Sequence, residues 1–540
     1  MNAHSTSGIE PTVQHELTAY VVSQLPRLLT HLDRDPDSPS YGCLDRYYWH
    51  YKVQDFSSAI LQQSVLALDS FADGCISLEK EQRQCMREWA QASIEFWAKL
   101  PTSHGGFNEY YPYESGYPPT AFSLHAVSAV ISKYRLSSDI RSQIQKAVVY
   151  LSKRFEDEAL NQQAAGIAAL ALCKKLSGVS VPDQTFKRIV EKFFAAQHDE
   201  GWFSEYGGPD LGYLSVTIDM LWDYYDATCD QRALQAIDKA IDYVSYFVAP
   251  DRTIVGICNS RNTDYIVPYG LARSGMENAR AAEIIRRIFC TAGEPTHFLA
   301  SIDDRYHLHY VYNSCVRSLP YLNRLTNSQY PLPCDAQQRK HFSGCGNVVE
   351  HRAGDLSLFC SVKKGGVLKI VSRQGTTAAD YGWRCEDRRR LYVTNFWNEK
   401  FKGPVNDLNG PNSGFEIHIE GPMVPITWFR PSPLKHMILR FMSFFLGTHL
   451  MSWLKKLLIF RTAGGALLFK RTIVVRDQAV LRDLITGGET SATSRRAGRP
   501  SARHVSSAGS FAWEELTNPV SDCSMHPVGR EYSITHKLMG

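Results

Sequence analysis

The sequence predicts a two-domain protein of the α+β class, with an N-terminal α/α toroid of helical hairpins followed by a C-terminal antiparallel β-sandwich. Three observations lead to this prediction. Apolar residues recur at helical spacing through residues 1–325, a Gly/aromatic/Glu segment occurs twice there, and strand-like alternation begins at residue 346. We therefore place the toroid, as an incomplete barrel, at 1–325, a linker at 326–345 and the sandwich at 346–540.

The toroid region consists of apolar, periodic stretches separated by polar or glycine-rich turns. This spacing predicts helices over Ser57–Phe71, Glu79–Leu100, Ala121–Tyr134, Ile140–Phe155, Ala164–Leu176, Phe186–Ala196, Val216–Tyr225, Ala233–Phe247 and Ala279–Ile288. Helices of about 12–20 residues joined by short turns favour stacked hairpins, which can close into a toroid.

A 13-residue segment occurs twice in this region. Gly105–Tyr117 aligns without gaps to Gly201–Tyr213, 96 residues later, and six positions are identical. The identities are Gly105/Gly201, Phe107/Phe203, Glu109/Glu205, Tyr110/Tyr206, Gly116/Gly212 and Tyr117/Tyr213. Turns that need positive φ explain the glycines but not the matched Glu and Tyr. Because the offset suits two hairpins of about 48 residues each, both segments are expected on one rim of the toroid.

Beyond Leu322 the pattern changes. The stretch Asn323–Gln338 is polar and contains two prolines, as is typical of a linker. Short alternating runs predict strands at Leu356–Val362, Val367–Val371, Arg390–Phe396, Gly414–Ile419, Ala466–Phe469, Thr472–Val475 and Val480–Ile485. The Ser/Arg-rich stretch Thr490–Ser507 predicts a mobile loop, and Ser510–Leu516 a last strand.

One segment, Pro433–Arg461, interrupts the β pattern with a basic, apolar helical insertion. The run between Arg440 and Lys455 has 14 residues, which is too short to span a bilayer that needs about 20. Two interpretations stay open: an amphipathic helix lying in a membrane interface, or a helix that packs on the sandwich or on a partner chain.

Composition narrows the functional classes. A length of 540 residues with 44% hydrophobic residues indicates a globular chain, and a net charge of +4 gives no case for nucleic-acid binding. The 13 cysteines are scattered without a CxxC pair, and the N-terminus lacks the pattern of a secretory signal. We expect a cytoplasmic protein without a cofactor or a metal site.

Aromatic residues make up 11% of the chain and often stand beside Gly, Pro and Glu in predicted loops, where rings suit the faces of sugars. Gly201–Tyr213 is the strongest candidate, because Gly207 and Gly208 would let a ligand approach the backbone closely. In it, Tyr213 can serve as a general acid or base, and Glu205 can orient that tyrosine or bind hydroxyls. 

Two further polar groups complete the predicted catalytic set. Asn161 can cap its helix or direct its amide at a substrate carboxylate while an enolate forms. Arg261 can grip a carboxylate or form a salt bridge. The residues that we predict to bind substrate are Trp202, Tyr206, Tyr110, Glu109, Tyr117, Tyr265, His50 and His307.

These residues resemble those of the heparinase II/III-like family, and the domain order is similar over nearly the whole length. That family pairs an α/α toroid with a β-sandwich and acts on uronic-acid polysaccharides by β-elimination. The stretch Asp199–Tyr213 resembles the family's segment leading to its catalytic tyrosine. The resemblance implies that Tyr213 donates the proton and that Asn161 neutralises the substrate carboxylate.

The sandwich departs from the family pattern, since Lys363–Ile370 contains no histidine or aspartate where the family often has a Gly-His-x-Asp stretch. His307, His309 or His341 can substitute for that histidine. Without a leader, a role in making or editing an exopolysaccharide at the inner face of a membrane fits better than degradation, and C5 epimerisation shares the first step of β-elimination.

Two other classes of protein remain as alternatives. A non-catalytic glycan-binding or scaffold protein of a polysaccharide assembly system would keep the binding residues and need no complete catalytic set. A terpene-cyclase-like toroid is suggested by Gln197–Trp202, but Ser301–Asp304 matches the required acid motif poorly.

Overall fold

The computed structural model describes residues 12–102, 104–352, 354–408, 414–426, 430–455, 467–489, 491–499 and 526–538. Helices occupy the chain up to Leu322 and antiparallel strands follow from Gln338. The structure therefore confirms the predicted fold class, an α/α toroid followed by a β-rich domain.

The helical domain contains α1 (Val13–His31), α2 (Arg46–Trp49), α3 (Val65–Ala72), α4 (Lys80–Lys99), α5 (Tyr117–Val130), α6 (Ser138–Ser152), α7 (Leu160–Cys173), α8 (Asp183–Ala195), α9 (Leu211–Thr228), α10 (Gln231–Ser245), α11 (Tyr269–Ser274), α12 (Ala279–Phe289), α13 (Asp304–Tyr306) and α14 (Tyr312–Leu322). A 3₁₀-helix at Ala59–Ser64 precedes α3, and a π-helical turn at His307–Val311 precedes α14. The predicted helices are thus present, with ends shifted by a few residues.

The helices form two concentric rings. In the inner ring, α3, α5, α7, α9, α11 and α14 contact one another in that order, and α14 returns to contact α3 and α1. Within the described residues these contacts run all the way round the ring. The outer helices α1, α4, α6, α8, α10 and α12 bury one face, as amphipathic helices do.

Helix α7 shows why inner helices are rich in small residues. It is apolar and buried almost all round, because α5 and α9 flank it. A Cβ at Gly166 would lie 2.2 Å from the Tyr117 hydroxyl of α5, so this crossing requires glycine.

The second domain contains β1 (Gln338–Phe342), β2 (Asn347–Arg352), β3 (Leu356–Ser361), β4 (Val367–Ser372), β5 (Gly375–Asp380), β6 (Trp383–Asp387), β7 (Arg390–Val393), β8 (Val405–Leu408), β9 (Gly414–Pro422), β10 (Val424–Pro425), β11 (Leu467–Val475), β12 (Gln478–Gly487), β13 (Thr493–Arg496), β14 (His526–Pro527) and β15 (Glu531–Lys537). They form antiparallel sheets in the orders β1-β2-β3-β4-β5, β10-β7-β6-β13-β14 and β15-β12-β11-β9-β8. Strand β1 lies inside the stretch that we interpreted as a linker, and β13 inside the predicted mobile loop. The predicted strand Ser510–Leu516 lies outside the described residues.

The first sheet joins the domains, and its central strands β2, β3 and β4 are buried on both faces. One face places Phe342 and Phe359 against Tyr243 and Phe247 of the helical domain. The other face packs on the third sheet. This explains why all of β3, and all of β2 except its last residue, is buried, whereas a strand covered on one face would alternate between buried and exposed residues.

A buried ionic cluster ties the sheets of the second domain together. The fully buried Arg471 pairs with Asp380 at 2.9 Å and with Asp483 at 2.6 Å. The Trp383 ring nitrogen donates to Asp483 at 2.8 Å. Because each charge has its counter-charge and hydrogen bonds, the cluster is tolerated in the core.

The basic, apolar insertion forms two helices, α15 (Pro433–Leu446) and α16 (Thr448–Lys455), separated at Gly447. Within the described residues, none of the helices has the length and apolar character needed to cross a bilayer.

Candidate active site at the toroid mouth

The N-terminal ends of the inner helices meet at one end of the toroid. We call this end the toroid mouth; it comprises the loops 104–116, 153–159, 196–210 and 246–268 with the segment 303–311. Each loop leads from an outer helix to an inner one. Helix N-termini carry unpaired N–H groups and partial positive charge, so the mouth favours anionic groups.

Glu205 anchors the centre of the mouth. Its Oε1 accepts the Asn161 backbone N–H at 2.7 Å, and its own N–H donates to the Gly208 carbonyl at 2.7 Å. This caps α7, whose preceding residue Ala159 provides no side-chain cap. Burial at 1% exposure raises the pKa of Glu205 well above its ordinary value, against the opposing effect of the Asn161 N–H, so the neutral acid is favoured.

Asn161 is the second residue of α7, so its side chain is not the cap that we considered. The amide is 2% exposed, and its Oδ1 has no hydrogen-bond partner among the described residues. The Oε2 atom of Glu205 likewise has no partner in the part of the chain that the structure describes. These two unpartnered polar atoms on hydrogen-bonded neighbours make this group the candidate site.

Arg261 reaches the same place from the loop before α11. Its guanidinium carbon lies 4.1 Å from the ring centroid of Tyr206, and the residue is 5% exposed. Arg261 lies beside the carboxyls of Glu205 and Asp210, because its positive charge opposes the rise in the pKa of each. Its Nε atom has no partner in the described part of the chain.

Asp210 holds Tyr213 and the Arg261 loop together. It caps α9 by accepting the Tyr213 N–H at 3.2 Å and also accepts the Thr263 hydroxyl. Burial raises the pKa of Asp210 to about 6. The side chain of Tyr213 is half-buried and lies close to Tyr310. The pKa of Tyr310 is raised mainly by burial, then by the charge of Tyr265 and then by that of Tyr213.

A second Arg–Tyr pair occupies the matching repeat. Arg305 lies 4.5 Å over the ring of Tyr110 and its Nη2 pairs with Glu109 at 2.6 Å. The repeat therefore aligns two Glu-Tyr pairs, Glu109-Tyr110 and Glu205-Tyr206, each of which has an arginine stacked on its tyrosine. Arg305 was not predicted, because it comes from a segment almost 200 residues away.

The second domain contributes a tryptophan and a lysine to the mouth. A Cβ at Gly208 would lie 2.3 Å from Cζ2 of Trp397, so the ring covers this glycine. This corrects our expectation that Gly207 and Gly208 admit a ligand, since the close approach is made by Trp397. No pattern in the sequence linked these positions.

Lys364 enters the mouth beneath the Arg261 loop. Its Nζ donates to the carbonyls of Ile257 and, at 3.1 Å, Asn259, and to Oδ1 of Asn262. Burial lowers the pKa of Lys364 to about 8. It comes from the stretch that we had noted for its lack of histidine.

The other predicted residues lie around this group or apart from it. The Tyr117 hydroxyl donates to Gln163 at 3.0 Å, and the buried hydroxyl of Tyr265 pairs with that of Tyr310. Trp202 stacks on His198 at 4.5 Å and donates to Glu200, whose other oxygen accepts the Gly344 N–H. The interface between the domains thus holds Trp202.

The predicted histidines do not lie beside Glu205 in the folded protein. His50 is exposed and its ring meets Trp49 and Tyr51. His307 is fully buried against Tyr20 and Tyr312, and burial lowers its pKa to about 3. His309, in the same segment, is also buried, and burial and then the charge of Arg305 lower its pKa.

Two other features, a cleft and an acidic motif, have their charged groups already paired. A cleft of about 1060 Å³ between α1, α12 and the second domain contains Arg287 and Arg373, but they pair with Asp335 and Asp355. In the acid motif of the terpene-cyclase alternative, Asp303 caps α13 and Asp304 pairs with Arg27. Among the described residues no group of three His, Cys, Asp or Glu has the arrangement of a metal site.

The chain was compared with known proteins. No family model and no curated protein matches it. Among solved structures, it is similar to heparinase III, with 12% identity, coverage of 87% of this chain and 80% of that one, and a TM-score of 0.42. It is similar to chondroitin AC lyase of Streptomyces coelicolor at 10% identity, 99% and 80% coverage and a TM-score of 0.45.

A cellobiose 2-epimerase of Bacillus thermoamylovorans is similar at 11% identity, with 58% of this chain and 99% of that one covered and a TM-score of 0.41. Similarity at these levels assigns no activity to the chain.

Proposed function

We propose that the toroid mouth binds a uronic-acid-containing polysaccharide and removes the proton from C5 of a uronate. The supporting observation is the charge balance beside Asn161. The buried Arg261 lies beside the carboxyls of Glu205 and Asp210, the buried Lys364 interacts with Asp210, and burial raises the pKa values of both carboxyls. A carboxylate ligand would supply the missing negative charge.

In this proposal Arg261 and the Asn161 amide hold the uronate carboxylate, which stabilises the enolate that forms when C5 loses its proton. Tyr213 takes that proton. It occupies the first turn of α9, where Asp210 accepts its backbone N–H. For β-elimination, the C4–O4 bond then breaks and the departing oxygen is protonated; for epimerisation, a proton returns to the opposite face of C5.

Uronate polymers incubated with the protein in deuterated water test the proposal. An unsaturated product that absorbs in the ultraviolet identifies a lyase, and deuterium at C5 without that product identifies an epimerase. Tyr213→Phe should abolish either reaction. Tyr225→Phe is the matched control, because it removes a tyrosine hydroxyl near the C-terminal end of the same helix, away from the mouth, and should leave the turnover nearly unchanged.

A non-catalytic glycan-binding function is the second candidate. The observation that favours it is the burial of Asn161 and Glu205, which reach almost no solvent. In that case the polymer binds, Arg261→Met weakens binding, and neither product forms with wild-type protein. Absence of both binding and turnover with several uronate polymers would contradict both candidates.

A further inference from the structure

Helix α15 has its apolar face turned away from the protein. Leu434, Ile438, Phe441 and Phe445 follow one another at spacings of three and four residues and so form one stripe along the helix. Phe441 is 67% exposed and Phe445 66%. A surface helix of a globular domain normally turns such a stripe towards the core.

The opposite face of α15 meets the protein through a polar residue. Ser443 is fully buried, half a helical turn around from Phe441 and Phe445. Along the helix, the buried residue is a serine, whereas the large apolar side chains lie in solvent. Met437 and Phe444, at 66% and 63% exposure, widen the exposed stripe on one side. Contiguous exposure of this size marks an interaction surface.

The charge of the segment indicates what covers that surface. The sequence 433–461 has five Lys or Arg and no Asp or Glu. These are Lys435, Arg440, Lys455, Lys456 and Arg461. On α15, Lys435 and Arg440 lie on opposite flanks of the apolar stripe. Basic residues beside Phe, Leu and Met are typical of helices that lie in the interface of an anionic bilayer, with the cations at the phosphates.

The helix is also attached to the toroid mouth. The ring of Phe444 meets that of Tyr113 edge-on with centroids 5.3 Å apart, and Arg440 pairs with Asp55. Tyr113 belongs to the mouth loop 104–116, whose φ at this residue is +68°. A surface on which α15 rests would therefore lie beside the entrance to the candidate active site.

We propose that the exposed face of α15 docks the protein on an anionic lipid bilayer, with Leu434, Ile438, Phe441 and Phe445 in the acyl boundary and the toroid mouth next to the membrane. This docking is independent of the proposed chemistry and needs no substrate. It would give the mouth access to a glycan that is held at the membrane.

Co-sedimentation of the full chain with vesicles tests the docking. We expect binding to vesicles of phosphatidylcholine and phosphatidylglycerol, weaker binding to phosphatidylcholine alone, and loss of binding as salt rises. Phe441→Ser/Phe445→Ser should lower the affinity by about tenfold for each side chain. Val22→Ser/Val149→Ser is the control, since these apolar residues are 49% and 41% exposed on other helices.

Three results would overturn the proposal. They are no sedimentation of the wild type with anionic vesicles, equal binding to both kinds of vesicle, and binding that survives Phe441→Ser/Phe445→Ser. Sedimentation equilibrium without lipid identifies the other occupant. A dimer that the double variant disrupts, in a protein that ignores vesicles, assigns the face to a second copy of the chain.

Discussion

The guanidinium of Arg261 lies over the ring of Tyr206, with 4.1 Å between the guanidinium carbon and the ring centroid. Glu205, next to Tyr206, caps the helix that carries Asn161. In this position the arginine is both buried and oriented. Its planar guanidinium therefore suits a planar carboxylate better than the ammonium of a flexible lysine would. The predictions below start from this group and extend to the residues that hold it.

Replacing Arg261 should weaken uronate binding. Arg261→Lys keeps a charge but loses the planar fork, and we expect an affinity loss of about 10- to 100-fold, measured by calorimetry with a uronate oligosaccharide. Arg280→Lys is the matched control, because Arg280 also stacks on a tyrosine, Tyr330, away from the mouth. Equal losses in both variants would contradict a specific role for Arg261.

Gly208 and Trp397 should be energetically coupled. Gly208→Ala places a methyl group against the Trp397 ring and should destabilise the wild type, but much less in a Trp397→Ala background. We expect a coupling free energy of about 0.5–3 kcal/mol in urea unfolding. Gly208→Ala combined with Trp453→Ala, on α16, should be additive; coupling there, or none with Trp397, would refute the contact.

Lys364 should hold the Arg261 loop in place. Lys364→Met leaves the carbonyls of Ile257 and Asn259 without their donor, and we expect a loss of about 3 kcal/mol in unfolding free energy. Hydrogen exchange should show faster opening of 256–264. The neighbouring Lys363→Met, which removes an ion pair with the exposed Glu399, should cost less than about 1 kcal/mol.

Glu114 should make stability depend on pH. Burial, followed by the charge of Glu109, raises the pKa of Glu114 from 4.5 to about 8, although three backbone N–H groups oppose this. Between those values the folded protein keeps a proton that the unfolded chain has released. The contribution of this carboxyl to stability is therefore present below about pH 4.5 and is lost as pH rises towards 8.

Glu114→Gln tests that dependence, because the amide oxygen can still accept the N–H groups of Glu109 and Tyr110. Thermal unfolding across this pH range should show a smaller decline in the variant than in the wild type. Glu277→Gln, at an exposed position, should keep the wild-type profile. An unchanged slope in Glu114→Gln would show that other groups cause the decline.

Local patterns were sufficient for the architecture. Helical periodicity and alternation report which backbone a segment adopts, and they identified both domains and most helices. They could not show that the ring closes or that β1 lies in the apparent linker, because closure and pairing depend on contacts between distant segments. The two-sided burial of β3 likewise follows from its place between the toroid and the third sheet.

For the candidate site, too, some features follow from the sequence and others only from the tertiary structure. The sequence by itself determined that the two repeated loops carry a matched Glu-Tyr pair and that polar residues at Asn161 and Arg261 stand at loop or helix boundaries. Only the tertiary structure decided that Glu205 caps the helix of Asn161, that Trp397 and Lys364 enter from the second domain, and that His307 is buried away from them. The physical reason is that periodicity is a property of neighbouring residues, whereas burial, charge balance and stacking arise between segments that meet only when the chain is packed.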